Sequence, residues 1–273
     1  MQRVSAAPPN ASAELLPGID FARQTLAVAE GDLRKLIHDP VELFTRMVQP
    51  ALWLLIFGEV FTRARAIPTG GIPYIDFMTP GILAQNVLFG AIFYGISLIW
   101  ERDLGIVHKF LVSPAPRSAL VLGRAISSTA RSLCQMVLVY LLAFLLGVHL
   151  HFDPRDVAGV IAAVMLGAAV FSTFSLIAAC IVKSRDRFMG IGQVLTMPLF
   201  FASNAIYPLS MMPSWLRAFS RVNPLTYQVD ALRRLMIVGG TTSFGLPVDF
   251  IVLAVAFALL VGIATRVYPR IIT

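Results

Sequence analysis

Charge is scarce in this chain. Of its 273 residues only 14% are Asp, Glu, Lys or Arg, against about 25% in an ordinary soluble domain, while 57% are hydrophobic. A water-soluble fold could not hide that much apolar surface, so the composition reads as an integral membrane protein. Lysine is scarcer still, limited to Lys35, Lys109 and Lys183, which follow Arg, His and Val. A phosphate-binding loop of the Walker type needs its Lys directly after a Gly and before Ser or Thr. The chain has no such loop. Its cysteines are Cys134 and Cys180, both in apolar runs. That excludes a disulfide framework or zinc spacing and leaves two small buried hydrophobes. Midmembrane carboxylates of the kind a proton-coupled pump carries are also missing. The opening "MQRVSAAPPNASAELLPG" has no apolar core of a secretory signal. Residues 1–19 read as a disordered cytoplasmic tail and 20–273 as one transmembrane domain.

Long apolar runs are abundant, and they organise the rest. Residues 20–38 put Ala22, Leu26, Ala29, Leu33 and Leu36 on one stripe of a helix too polar to span, which suits the membrane interface; Asp39-Pro40 ends it. Six spans follow: Leu43–Phe61, Phe77–Trp100, Ala125–Val148, Val157–Val182, Phe188–Tyr207 and Leu246–Arg266. The expected fold is all-α. The fourth span is rich in small residues, with Ala163 and Gly167 four apart, as in a helix packed closely by neighbours. Pro198 predicts a kink in the fifth. The net charge of +7 lies in short loops between apolar runs, which carries orientation and gives no nucleic-acid face. Thirteen basic residues fall on the side of the two termini and of the 101–124 and 183–187 loops, and seven on the other. Both termini are therefore expected in the cytoplasm, with the chain in the cell's cytoplasmic (inner) membrane.

Within the spans, chemistry is sparse. Gln85 and Asn86 in the second span, with Gln193, Thr196, Ser203 and Asn204 in the fifth, read either as interhelical hydrogen bonds or as a weakly polar substrate path. His149, His151, Asp153 and Asp156 gather in one loop without a metal-ligand pattern. Glu59 and Arg63 are spaced to pair. Residues 207–240 are too charged to span and too long for a bare loop. They suggest two short helices divided at Asn223-Pro224, dipping into the outer leaflet as a lid that includes Trp215 and Tyr227. Asp230 and Arg234, four apart, are expected to pair on one face.

The stretch "LIWERDLGIVHKFLVSPAPRSALVLGRA", Leu98–Ala125, leaves one oily segment through Glu-Arg-Asp, runs along a short amphipathic helix to Ser-Pro-Ala-Pro, and enters another. It resembles the cytoplasmic segment after the second span of ABC-2 type permeases, particularly daunorubicin-resistance-like drug exporters. The matching positions are Glu101, Arg102, Gly105, Leu111, Pro114, Gly123 and Arg124, with Ile106 where Thr is common. "SNAIYPLSMMPSWLRAFSRVNPLTYQVDALR" is similar to the outer region of the same family. The resemblance implies a pair of permeases, identical or related, each docked on a separate ATP-binding subunit that holds ATP and Mg. It also implies that this chain has no cofactor and is not catalytic alone. Docking would fall to Glu101, Arg102, Gly105, Lys109, Phe110 and Leu111, with Pro114 ending the coupling helix. Spans two and five would then open to an exported drug, lipid or glycolipid. Polysaccharide export, an ion-coupled transporter working alone and a membrane transferase are the competing readings.

Overall fold

The computed structural model describes residues 40–64, 67–104, 117–182 and 184–268. The chain enters through α1 (Pro40–Leu52), a π-helical turn (Trp53–Gly58) and α2 (Glu59–Ala64) without a break. Pro50 offers no N–H to the carbonyl one turn back, and the bulky Trp53 and Phe57 stack at 4.5 Å in the widened turn. Next come α3 (Tyr74–Asp103), α4 (Arg117–Leu145) and α5 (Pro154–Val182). After α6 (Arg185–Phe201) and a single 3-10 turn (Leu209–Met211) the chain forms α7 (Ser214–Val222) and α8 (Pro224–Met236), then closes with α9 (Leu246–Val267). Among the described residues, regular structure is helical apart from one antiparallel bridge between Leu150 and Ile237.

Helix α5 stands in the middle, against α3, α4, α8 and α9. Its small residues permit this: a Cβ added at Gly167 would collide with Gln228 of α8. Gly95 of α3 does the same for two partners, because a Cβ there would strike Ser175 of α5 and Phe188 of α6. The Ser175 hydroxyl then donates to the Ile92 carbonyl at 2.5 Å. Outward faces are the reverse: Val137, Leu141 and Phe144 on α4, and Val255, Leu259 and Ile263 on α9, are large, apolar and exposed. Such stripes are costly in water and ordinary against lipid tails. By length and composition, α3, α5, α9 and the Val121–Leu145 part of α4 can each cross a membrane.

Three expected spans come out with different ends. Helix α3 does not stop at Trp100 but runs one turn further, through Glu101, Arg102 and Asp103, because each charged group finds a partner on itself or a neighbouring helix. Helix α4 starts at Arg117, right behind the prolines, rather than at Ala125. Helix α6 begins at Arg185 and ends at Phe201, three residues past Pro198; residues 202–207 are turns. Cys180 is buried as expected, whereas Cys134 faces outward. The interface helix expected over 20–38 lies outside the described residues. Gly95→Leu should destabilise the fold by about 1–3 kcal/mol through overpacking, read as a lower Tm of the detergent-solubilised chain, while Gly262→Leu, which meets open space, should not.

Candidate functional site

The polar side chains concentrate at the two ends of the bundle. At the end where α3 finishes, Glu101 and Arg124 are both buried, and Arg124 Nη2 donates to Glu101 Oε2. This joins the last turn of α3 to the second turn of α4. Tyr268, fully buried at the end of α9, packs into the apolar cluster beneath this pair with Leu98, Val121 and Phe188. A second tie sits beside it. Asp103 accepts from Arg102 Nη2 at 2.7 Å and from Arg185 Nη2, the first residue of α6, at 2.8 Å. The Arg185 guanidinium carbon also lies over the Trp100 ring, 3.6 Å from its centre. Three helices thus meet on charged groups, with Glu101 and Asp103 just before residues 105–116 and Arg124 after them. We refer to this as the latch.

Of the docking residues expected from the sequence, Glu101 faces Arg124 instead of open solvent, and Arg102 is spread along Asp103. Gly105, Lys109, Phe110, Leu111 and Pro114 lie outside the described residues. The expected path residues are divided. Gln85, Asn86, Thr196, Ser203 and Asn204 are buried, while Gln193 is exposed on the outer side of α6. Thr196 returns its hydroxyl to the Gly192 carbonyl at 2.5 Å, a local bond that links no helices. Asn204 does link elements: its Nδ2 donates to Asp230 Oδ1 of α8 at 3.1 Å.

Asp230 is therefore not paired with Arg234. It lies fully buried, and its Oδ2 accepts from the backbone amides of Ser243 and Phe244 at 2.7 and 3.1 Å. Arg234 is exposed; the buried arginine is its neighbour Arg233, which donates to the carbonyls of Asn204 (2.6 Å) and Phe77 (3.4 Å) and sits 3.8 Å above the Phe77 ring. Burial pulls Arg233 down to about 10, against the raising effect of the Asp230 carboxylate, so it stays charged at neutral pH. Because α8 is buried on nearly every side, no periodicity marks which arginine turns inward. Gln135 and Gln228 are also fully buried, with both amide atoms unbonded; Gln135 is a lone amide in an apolar run, a signal that could have found it, whereas Gln228 lies among charged residues and gives none.

The opposite end is closed by α7 and α8, separated at Asn223 as expected. Asn223 Oδ1 caps α8 by accepting from Leu225 N at 3.0 Å, Pro224 occupies the first helical position, and Nδ2 takes the Leu199 carbonyl at the end of α6 at 2.7 Å. Tyr227 donates to the Arg221 carbonyl at 2.6 Å, bracing the corner, and Trp215 is exposed. Leu150 pairs with Ile237, His149 Nδ1 meets Asp76 at 2.8 Å, and His151 Nδ1 meets Asp156 at 2.8 Å. The two histidines thus hold two different carboxylates. Among the described residues, no three potential ligands converge to hold a metal. We refer to this end as the cap.

Long apolar helices, a charged latch around the 105–116 segment and a helix pair over the far end describe a multi-helix membrane domain. The sequence model of the ABC-2 type transporter matches residues 23–237, from before α1 to the end of α8. The chain belongs to that family. A Cyanophora paradoxa chain named as a transport permease, ycf38, is 31% identical over 217 residues, covering 79% of this chain and 74% of the relative. The daunorubicin resistance ABC transporter permease protein DrrB1 of Streptomyces coeruleorubidus is 27% identical over 208 residues, 76% of this chain and 72% of its own length. The inner membrane transport permease YadH of Escherichia coli K12 is 25% identical over 236 residues, 80% and 88%. The protein is thus a multi-pass membrane permease subunit of an ABC transporter, not catalytic by itself, and its family implies a partner ATP-binding subunit. Breaking the latch on one side leaves a buried charge: Glu101→Gln should cost about 3–5 kcal/mol, and Glu101→Gln with Arg124→Met should recover most of it. Thermal unfolding of the two variants and of Arg124→Met alone checks this.

Proposed function

We propose that this chain is the transmembrane half of an ATP-driven exporter that moves a hydrophobic or amphipathic molecule, a drug, lipid or glycolipid, out across the cytoplasmic membrane. Two permeases, identical or related, pair and dock on two ATP-binding subunits that hold ATP and Mg. Six crossings result when the continuous Pro40–Ala64 helix and α6 join the four long apolar helices. The latch end faces the cytoplasm with both termini, and residues 105–116 form the docking helix, with Lys109, Phe110 and Leu111 against the ATPase and Pro114 as its stop.

The latch carries this reading. A docking segment is useful only if its displacement reaches the spans, and its two flanks are fastened to each other, Glu101 before it to Arg124 after it, while Asp103 ties the preceding flank to α6. Glu101 then acts by positioning, as a rigid joint between the docking helix and the bundle. Pulling the segment moves the tied ends of α3, α4 and α6 together as one rigid group against the rest of the bundle, and the two spans α3 and α6 rearrange to admit substrate. The cap helices then act as the outer lid. An apolar hollow of about 350 Å³ between the end of α6 and α7, bounded by Pro198, Phe201, Tyr207, Trp215 and Phe219, supports an amphipathic substrate leaving sideways.

The test is mild-detergent purification from the native host with mass spectrometry of the co-purifying proteins. A stoichiometric ATPase carrying Gly-x-x-x-x-Gly-Lys-Ser/Thr is expected, and it should be lost on Leu111→Asp. Glu101→Ala and Gly105→Pro should leave membrane insertion intact and abolish ATP-dependent transport by the reconstituted complex. Transport by the lone chain without ATP would overturn the proposal.

A further inference from the structure

A cavity of about 250 Å³ opens at the cap, between the 68–72 turn, the start of α3, residues 204–209 and the 239–243 turn. At about 30 Å³ per water it has room for roughly eight waters, or for a small tetrahedral ion with part of its hydration. Arg233, Asn204, Phe77, Thr69, Thr241 and Ser243 are among the residues around it.

One buried polar group at this cavity is incompletely partnered. Arg233 presents five N–H donors, and hydrogen bonds to the Phe77 and Asn204 carbonyls engage two of them. Among the described residues no carboxylate lies within 4 Å of its guanidinium. The nearby Asp230 is engaged by Asn204 Nδ2 and by the amides of Ser243 and Phe244, and it does not border the cavity. A buried guanidinium without an anion is costly, and the fork of donors suits an oxyanion better than a chloride. The hydroxyls of Thr241 and Ser243, at the exposed rim, complete a polar wall.

We propose that this cavity is a phosphate subsite, in which Arg233 binds the anionic oxygens. The chemistry is shared by inorganic phosphate and by a glycerophosphate headgroup such as that of phosphatidylglycerol. The site does not depend on the transport reading; only its facing side, external in the orientation above, does.

The full chain, delipidated in a maltoside detergent that contains no phosphate, is titrated with sodium phosphate, with sodium chloride at matched ionic strength, and with phosphatidylglycerol in mixed micelles, and Tm is followed. A saturable rise of a few degrees with phosphate and not with chloride is expected for a free-anion site. A rise with phosphatidylglycerol alone assigns the site to the headgroup. Arg233→Gln should remove the response, but this residue also holds two carbonyls and its loss threatens the fold. Thr241→Trp, at the exposed rim, fills the cavity without touching those bonds; it should keep the basal Tm and abolish the response. No response to either phosphate source, an equal response to chloride, or a full response in Thr241→Trp overturns the proposal.

Discussion

A carboxylate and a guanidinium buried together at the end of an apolar helix are the constraint around which the latch end is arranged. Glu101 would otherwise terminate α3 one turn early, and Arg124 would be a buried charge without a counter-ion. Paired, they let both helices continue past the apolar run and bring their ends into one small cluster with Leu98, Val121, Phe188 and Tyr268. Such a pair adds little net stability compared with well-packed apolar residues, but it penalises every arrangement that separates its members. That property suits a joint more than a core. The Asp103–Arg185 tie extends the arrangement to α6 with less burial and more freedom.

The cap is held by different means. Here the fastenings are backbone bonds, with His151 N donating to the Met236 carbonyl at 2.8 Å and Val238 N to the His149 carbonyl at 2.9 Å, and side chains that cap backbone groups, as Asn223 and Asp230 do. The chain leaving α4 and the chain leaving α8 are therefore one mechanical unit. Small residues on α5 let α8 settle deep between the spans, which buries even its polar side chains and explains why Gln228, Asp230 and Arg233 all sit in the interior.

Much of this architecture was legible in the sequence, for reasons that differ by element. The fourth and sixth spans are uninterrupted apolar runs, and α5 and α9 match them to within a few residues. The break at Asn223-Pro224 was readable because a capping amide followed by a proline has one common structural meaning. The end of α3 was misplaced because Glu-Arg-Asp reads locally as an exit from the bilayer, and only a partner 23 residues later in the chain shows otherwise. The inward turn of Arg233 was illegible, since two adjacent arginines on a helix buried nearly all round carry no periodic signal. Cys134 misled for the opposite reason, because an apolar neighbourhood in a membrane protein fits a lipid-facing position as well as a core.

The unequal burial of the charged ties has a consequence for how dissolved ions reach this protein. Arg185 and Asp103 keep about a third of their side-chain surface accessible, at 35% and 37%, and exposed charges are screened over about 8 Å at physiological ionic strength. Glu101 and Arg124, at 12% and 5%, are largely sheltered from the same screening. Added electrolyte therefore slackens the fastening between α3 and α6 while that between α3 and α4 holds, and the backbone bonds that join residues 149–151 to 236–238 at the far end are indifferent to it. The bundle has a built-in order of loosening, in which α6 gives first.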